Sequence, residues 1–128
     1  MIEIEELKDR SETRIFKAVF PNTTNHYDTL FGGTALHLMD EASFICATRF
    51  SRKKVVTVST DKIDFSTPIP QGTIIELVAR VHKVGRTSCV VEVAIFMEDM
   101  YSYKRNKAVS GLFTFVAVGE DKKPIAIM

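Results

Sequence analysis

The residue types best suited to chemistry lie close together in the chain: the glycine pair Gly32-Gly33 and Asp40. An ionised aspartate can act as a base or a nucleophile. Paired glycines at the mouth of a helix bare backbone N–H groups at its positive end, a setting for an anion or a developing oxyanion. The spacing puts the acid on that helix. From Thr34 to Phe50, Ala35, Leu38, Met39, Ala42, Ile45 and Cys46 recur at steps of three and four, the helical period. Asp40 then shares a face with Gly33, Leu36, His37, Ser43, Phe44 and Ala47, a surface of mostly small or apolar groups. Glu41 points about 100° away, towards Thr34 and Thr48. Apolar surroundings disfavour a charged carboxylate and hydrogen-bond donors restore it, so the groups facing Asp40 decide its use. A plain alternative stands beside the catalytic one: an Asp paired with an arginine or capping a loop.

The elements that must position these residues follow from patterning. Thr13 to Phe20 is rich in β-branched and aromatic residues and reads as a strand closed by Pro21, and PNTTNHYDTLFGG is a loop of turn-forming residues. After the helix, Val55 to Thr60 reads as a strand continuing towards Phe65, and Pro68 and Pro70 break it. Ile74 to Val84 alternates, with Ile75, Leu77, Ala79 and Val81 on one face and Glu76, Arg80 and His82 on the other. Gly85-Arg86-Thr87 reads as a hairpin turn, Ser88 to Met97 as the next strand and Ala108 to Val118 as the last. The expectation is an α+β fold: one long central helix wrapped by a curved antiparallel sheet of about five strands, the last four able to form a meander. The helix is apolar on a second side through Leu36, Phe44 and Ala47, and a second copy of the chain is the economical cover for it.

Composition narrows the class. The 128 residues suit a single domain spanning 1–128, and 45% hydrophobic residues, 26% charged residues and a net charge of +1 are those of a globular protein without a basic nucleic-acid footprint. The acidic start lacks the features of a signal peptide, and no run approaches the ~18 apolar residues of a membrane span, so a cytoplasmic location without membrane or nucleic-acid partners is expected. Cys46 and Cys89 have no metal-ligand spacing and His26, His37 and His82 complete no cluster, so buried thiols and no metal are expected.

The string Asn25-His26-Tyr27-Asp28-Thr29-Leu30-Phe31-Gly32-Gly33, followed by Leu38-Met39-Asp40-Glu41-Ala42, resembles the signature of the hotdog-fold acyl-CoA thioesterases, in which N-x-x-G-x-x-[FH]-G-G leads into a helix carrying M-D. Val55-Val56-Thr57-Val58, Asp64-Phe65 with Pro68 and Gly72, and Val84-Gly85-Arg86-Thr87-Ser88 extend the resemblance from Ile15 to about Pro124. It implies hydrolysis of acyl-CoA thioesters in a homodimer, with a hexamer built as a trimer of dimers possible by analogy. Asp40 would be the catalytic carboxylate, Asn25 of the other subunit would complete the site, and the backbone amide near Gly33 would meet the thioester carbonyl. Gly85, Arg86, Thr87 and Ser88 would bind coenzyme A, which is part of the substrate, and no separate cofactor is implied. The chain departs from the pattern at Asp28, where the family usually has glycine.

Asp40 could activate a water as general base or attack the carbonyl itself to give an anhydride; the residues leave both routes open. Two other functions remain to be weighed. A hotdog-fold hydratase or dehydratase would need a histidine, for which His37 is available, and a non-catalytic acyl-CoA-binding module would use the same pocket without turnover.

Overall fold

The computed structural model describes residues 2–128, and its backbone has the expected long helix and five antiparallel strands. The helix α2 (Gly32–Ser51) is preceded by β1 (Thr13–Ala18) and followed by β2 (Val55–Phe65), β3 (Thr73–Val84), β4 (Ser88–Asp99) and β5 (Arg105–Ala117). Gly32 and Gly33 are its first two residues, one turn earlier than the apolar period alone reaches. It stops where Arg52 turns left-handed at φ 56° and donates its N–H to the Thr48 carbonyl.

One further helix was not legible: α1 (Ile4–Ser11). Its side chains are mostly polar, Glu3 makes no side-chain cap, and its Glu5–Lys8 and Glu6–Arg10 pairs are weak surface contacts, so contacts with the rest of the fold secure it. Leu7 packs on the core, Asp9 pairs with Arg80 at 2.7 Å, and the Arg49 guanidinium donates to the Arg10 and Glu12 carbonyls at 2.8 and 3.0 Å.

The strand order is β1-β3-β4-β5-β2, every neighbouring pair being antiparallel. The meander therefore runs through β3, β4 and β5 only, and β2 is an edge strand beyond β5. The reason lies between β2 and β3. Residues 66–72 contain Pro68 and Pro70 and no tight-turn signal, so they do not close a hairpin; they carry the chain back across roughly 14 Å, three strand spacings. Buried Ile69 anchors that link, and the N–H groups of Ser66 and Thr67 donate to the Ala108 carbonyl.

The core lies between α2 and the concave face of the sheet. Leu38, Met39, Ala42 and Cys46 meet the alternating inward residues Leu77, Ala79, Val91, Val93, Phe113 and Phe115, all buried. Full burial of a phenylalanine such as Phe113 contributes about 2–3 kcal/mol. Cys46 and Cys89 are free thiols inside it, and burial pushes both up to about 11. On the outer face Glu76 is not solvated as alternation implies. It is buried between Arg14, at 3.2 Å, and Arg105, which also lies over the Phe96 ring. Among the described residues no helix is long and apolar enough to cross a membrane.

Candidate active site

Asp40 sits in the middle of α2 on the side facing β2, half-buried, and the Thr57 hydroxyl donates to its Oδ1 at 2.9 Å. Thr57 reaches it because of its register. It pairs with Phe115, whose side chain faces the helix, and residues opposite one another in a ladder share a face. A bulge at Val58 follows, shifting the register so that Thr60 opposite Phe113 again faces inward. Among the described residues the Asp40 carboxylate meets this one donor and no arginine or lysine. The ion-pair alternative is thus absent, and Oδ2 is left to act. Thr57 was the residue missed from sequence. In a run of β-branched residues it reads as an ordinary strand former, and only the position of β2 beside α2 singles it out.

Asn25 organises the loop ahead of the helix. Its Oδ1 accepts from the N–H groups of Tyr27 (2.9 Å) and Thr29 (3.2 Å) and from the Thr29 hydroxyl (3.1 Å). The main chain closes the same turn through Asp28 N–H to Asn25 C=O and Asn25 N–H to Thr29 C=O, a geometry that sets Asp28 at φ 62°. Asp28 therefore occupies the left-handed position that glycine fills most easily. With the oxygen of Asn25 engaged in the loop, its NH₂ group is the part free to donate.

At the helix mouth the N–H groups of Gly32, Gly33 and Thr34 meet no acceptor among the described residues, and Phe31 supplies no side-chain cap. A Cβ on Gly33 would stand 3.0 Å from the Phe31 ring, so glycine keeps this approach open. Asp40 lies seven residues on, roughly 10 Å by helical rise.

The Gly85–Ser88 turn forms as expected, with Gly85 N–H donating to Ser88 C=O at 2.8 Å, and Arg86 is exposed. It lies at the end of the sheet where β2 begins: Ser88 pairs with Val116, and Val55 with Ala117. Gly32 lies at the other end, against Phe65, where β2 finishes. One protomer therefore brings Asp40 to Thr57 and Asn25 near the glycines, but holds the glycine mouth and the Gly85–Ser88 turn about a helix length apart, roughly 30 Å.

The surface beside Asp40 is unfinished in one copy. The outer edge of β2 has no strand partner, Val56 and Val58 on it are 46% and 53% exposed, and Leu36 and Phe44 on the same side of α2 are 36% and 45% exposed. A groove of about 450 Å³ opens there, lined by Phe44, Thr48, Arg52, Lys53, Lys54 and Val55. His37 points elsewhere: with Leu38 and Glu41 it lines a cavity of about 280 Å³ beside Val19 and Ile75. No group of residues suited to a metal ion occurs among the described residues.

Comparison with known proteins agrees with this architecture. The thioesterase superfamily model matches residues 27–103. An uncharacterised acyl-CoA thioester hydrolase of Zymomonas mobilis is 38% identical over 96% of this chain and 83% of its own length. An acyl-CoA hydrolase of Staphylococcus aureus, solved with butyryl coenzyme A, coenzyme A and coenzyme A disulfide, superposes with a TM-score of 0.89 at 38% identity, over 93% of this chain and 73% of that one. That enzyme was also solved with an asparagine, an aspartate and a threonine each replaced by alanine, and these lie fifteen and seventeen positions apart, as Asn25, Asp40 and Thr57 do here. A hexameric thioesterase of Yersinia pestis superposes with a TM-score of 0.81 at 28% identity, over 88% of this chain and 91% of that one. The chain belongs to the thioesterase superfamily, in its hotdog-fold acyl-CoA hydrolase family.

Proposed function

We propose that this chain, as a homodimer, hydrolyses acyl-CoA thioesters to free coenzyme A and a carboxylic acid, with Asp40 of one subunit and Asn25 of the other at the reacting carbonyl. The observation that carries the reading is the Asp40–Thr57 pair: an uncharged donor aims a carboxylate that no cation among the described residues neutralises, and one oxygen remains free. As general base, Asp40 takes a proton from water as the oxygen adds to the thioester carbon. As nucleophile it adds directly, and water later opens the resulting anhydride. In either route the C–S bond breaks and the sulfur leaves as a thiolate that takes up a proton. The N–H of Gly33 stabilises the oxyanion, a contribution of about 3 kcal/mol for one well-placed donor.

The dimer is part of the mechanism. Antiparallel pairing of two β2 edges covers Val56, Val58, Leu36 and Phe44 and reverses one α2 against the other. It carries the partner's glycine mouth and Asn25 loop towards the end of the sheet where β2 begins. There they meet Asp40, the groove at Phe44 and the Gly85–Ser88 turn of the first subunit. The acyl chain lies along the apolar seam, and Arg86 with the hydroxyls of Thr87 and Ser88 meets the phosphates of coenzyme A. The same reading builds a hexamer from three such dimers; the Yersinia pestis relative is hexameric. The test is thiol release from a panel of acyl-CoA chain lengths by the wild type and Asp40→Asn. Full activity in Asp40→Asn removes the assignment, and absence of thiol release across the panel removes the hydrolase reading.

A further inference from the structure

The C-terminal segment, Pro124 to Met128, is tied to the Gly85–Ser88 turn. Ile127 is 1% exposed, inside the core, and its N–H donates to the Arg86 carbonyl at 2.9 Å. Two residues earlier, Ile125 N–H donates to the Ala117 carbonyl at 2.9 Å, and between them the Lys53 ammonium donates to the Ala126 carbonyl at 2.5 Å. Pro124 bridges to Val118, so the segment is fastened along its length.

These bonds have a directional effect on the turn. Ala117 lies opposite Thr87, and a complete antiparallel rung there would exchange two hydrogen bonds. Only one is made: Ala117 N–H donates to Thr87 C=O at 2.9 Å, whereas the Ala117 carbonyl receives Ile125 instead. Thr87 N–H meets no acceptor among the described residues. In a trans peptide the carbonyl of one residue and the N–H of the next point opposite ways. With the Arg86 carbonyl pinned inward on Ile127, the Thr87 N–H faces away from the tail.

We infer that the segment Pro124–Met128 is a strap that holds the Arg86–Thr87 peptide with its N–H presented to the phosphate-bearing half of the substrate. Ile127 is the positioning residue, and Lys53 secures the strap from the start of β2. The inference rests on the reading of the Gly85–Ser88 turn as the coenzyme A site. It adds a backbone donor beside the Arg86 guanidinium and gives the tail, anchored by its buried Ile127, a task in substrate affinity, separate from the carboxylate chemistry some two strands away.

The experiment compares one acyl group on two carriers, coenzyme A and N-acetylcysteamine, which has no phosphates. Ile127→Ala, Ile127→Val, Lys53→Met and Arg86→Ala are assayed beside the wild type, with thermal unfolding of each. Misaligning one charge-assisted hydrogen bond, without removing its donor, predicts a rise in KM for the CoA thioester of roughly five- to tenfold in Ile127→Ala, below the more than tenfold of complete loss. A smaller rise is expected in Lys53→Met, near-normal KM in Ile127→Val, and unchanged kcat/KM on the N-acetylcysteamine thioester in both Ile127 variants. Equal losses on both carriers, or an unchanged KM for the CoA thioester in folded Ile127→Ala, overturn the strap. If Ile127→Ala does not fold, Lys53→Met decides through the CoA thioester alone: an unchanged KM there overturns the strap. Arg86→Ala separates the two ideas. An unchanged KM for the CoA thioester there removes the turn as the coenzyme A site and the strap with it; a raised KM there with none in the strap variants removes the strap alone.

Discussion

A site shared between subunits makes a quantitative prediction about mixed dimers. Asp40→Asn removes the base or nucleophile and is expected to lower kcat by at least a factor of ~10². Asn25→Ala removes a donor at the same carbonyl and is expected to cost a comparable factor. The two chains are co-expressed in equal amounts under different tags, so that dimers assemble at random, and thiol release is measured with a short acyl-CoA. About half of the dimers then carry one chain of each kind. In such a dimer one site combines the altered Asp40 with the altered Asn25, and the other combines the intact pair. The mixture should therefore recover about a quarter of the wild-type rate, whether or not dimers build hexamers, since each site still belongs to one dimer. The structure motivates this. The Asn25 loop and the glycines lie at the opposite end of β2 from the Gly85–Ser88 turn, and the β2 edge beside Asp40 has no strand partner. If Asp40 and Asn25 instead serve one carbonyl from the same chain, every mixed site carries one defect. The mixture then stays at the level of the single variants, and that result refutes the shared site.

Thr57→Ala should lower kcat about tenfold, because it frees the Asp40 carboxylate to rotate; Thr57→Ser should retain most of the activity, and equal losses in both would argue against aiming by the hydroxyl. Asp28→Gly should raise stability by about 0.5–1 kcal/mol in urea unfolding, since Asp28 holds φ 62° and its exposed side chain makes no hydrogen bond among the described residues; a loss of stability would show that the side chain has a task there. Cys46 and Cys89 should resist a thiol reagent at pH 8 and react after unfolding. Their folded values near 11 lie above the ordinary 9.0, so the unfolded chain loses thiol protons first. Their contribution to stability is full below pH 9 and falls as pH rises towards 11, which urea midpoints across that range will check.

Much of the fold was legible because its elements are locally consistent. The three-and-four spacing of Ala35, Leu38, Met39, Ala42 and Cys46 fixes both the helix and its buried side, and the alternation from Ile75 to Val81 fixes the inward face of β3. What escaped depends on contacts between distant residues. The acid-to-base order of IEELKDRS and its Glu5–Lys8 and Glu6–Arg10 pairs favour a helix too weakly to hold eight residues; Arg49 and Arg80, far along the chain, secure it. Likewise, the prolines after Phe65 announced a break but not that the chain would cross two strands before resuming.

The same distinction divides the site. Gly33 and Asp40 announced themselves by residue type, since a glycine pair and a carboxylate are poor choices for an apolar helix, whereas Asn25 is an ordinary loop residue that only the family resemblance singled out. Thr57 did not, because a threonine is what an edge strand selects anyway. Its role comes from the placement of β2 beyond β5, where an inward side chain meets the exposed flank of α2 instead of the core. That placement also explains why β2 tolerates Val56 and Val58 at an open edge. An uncovered apolar edge invites uncontrolled pairing, and proteins ordinarily blunt it with charge or bulges. Here Lys54 precedes the apolar stretch, a bulge falls at Val58 and Lys62 turns left-handed near the far end, leaving a short window of regular pairing around Val56 and Thr57. An edge restricted in this way suits one register against an identical edge. In the proposed dimer the same register decides whether the partner's Asn25 loop arrives at Asp40, so edge protection and assembly of the proposed site would both follow from one local geometry.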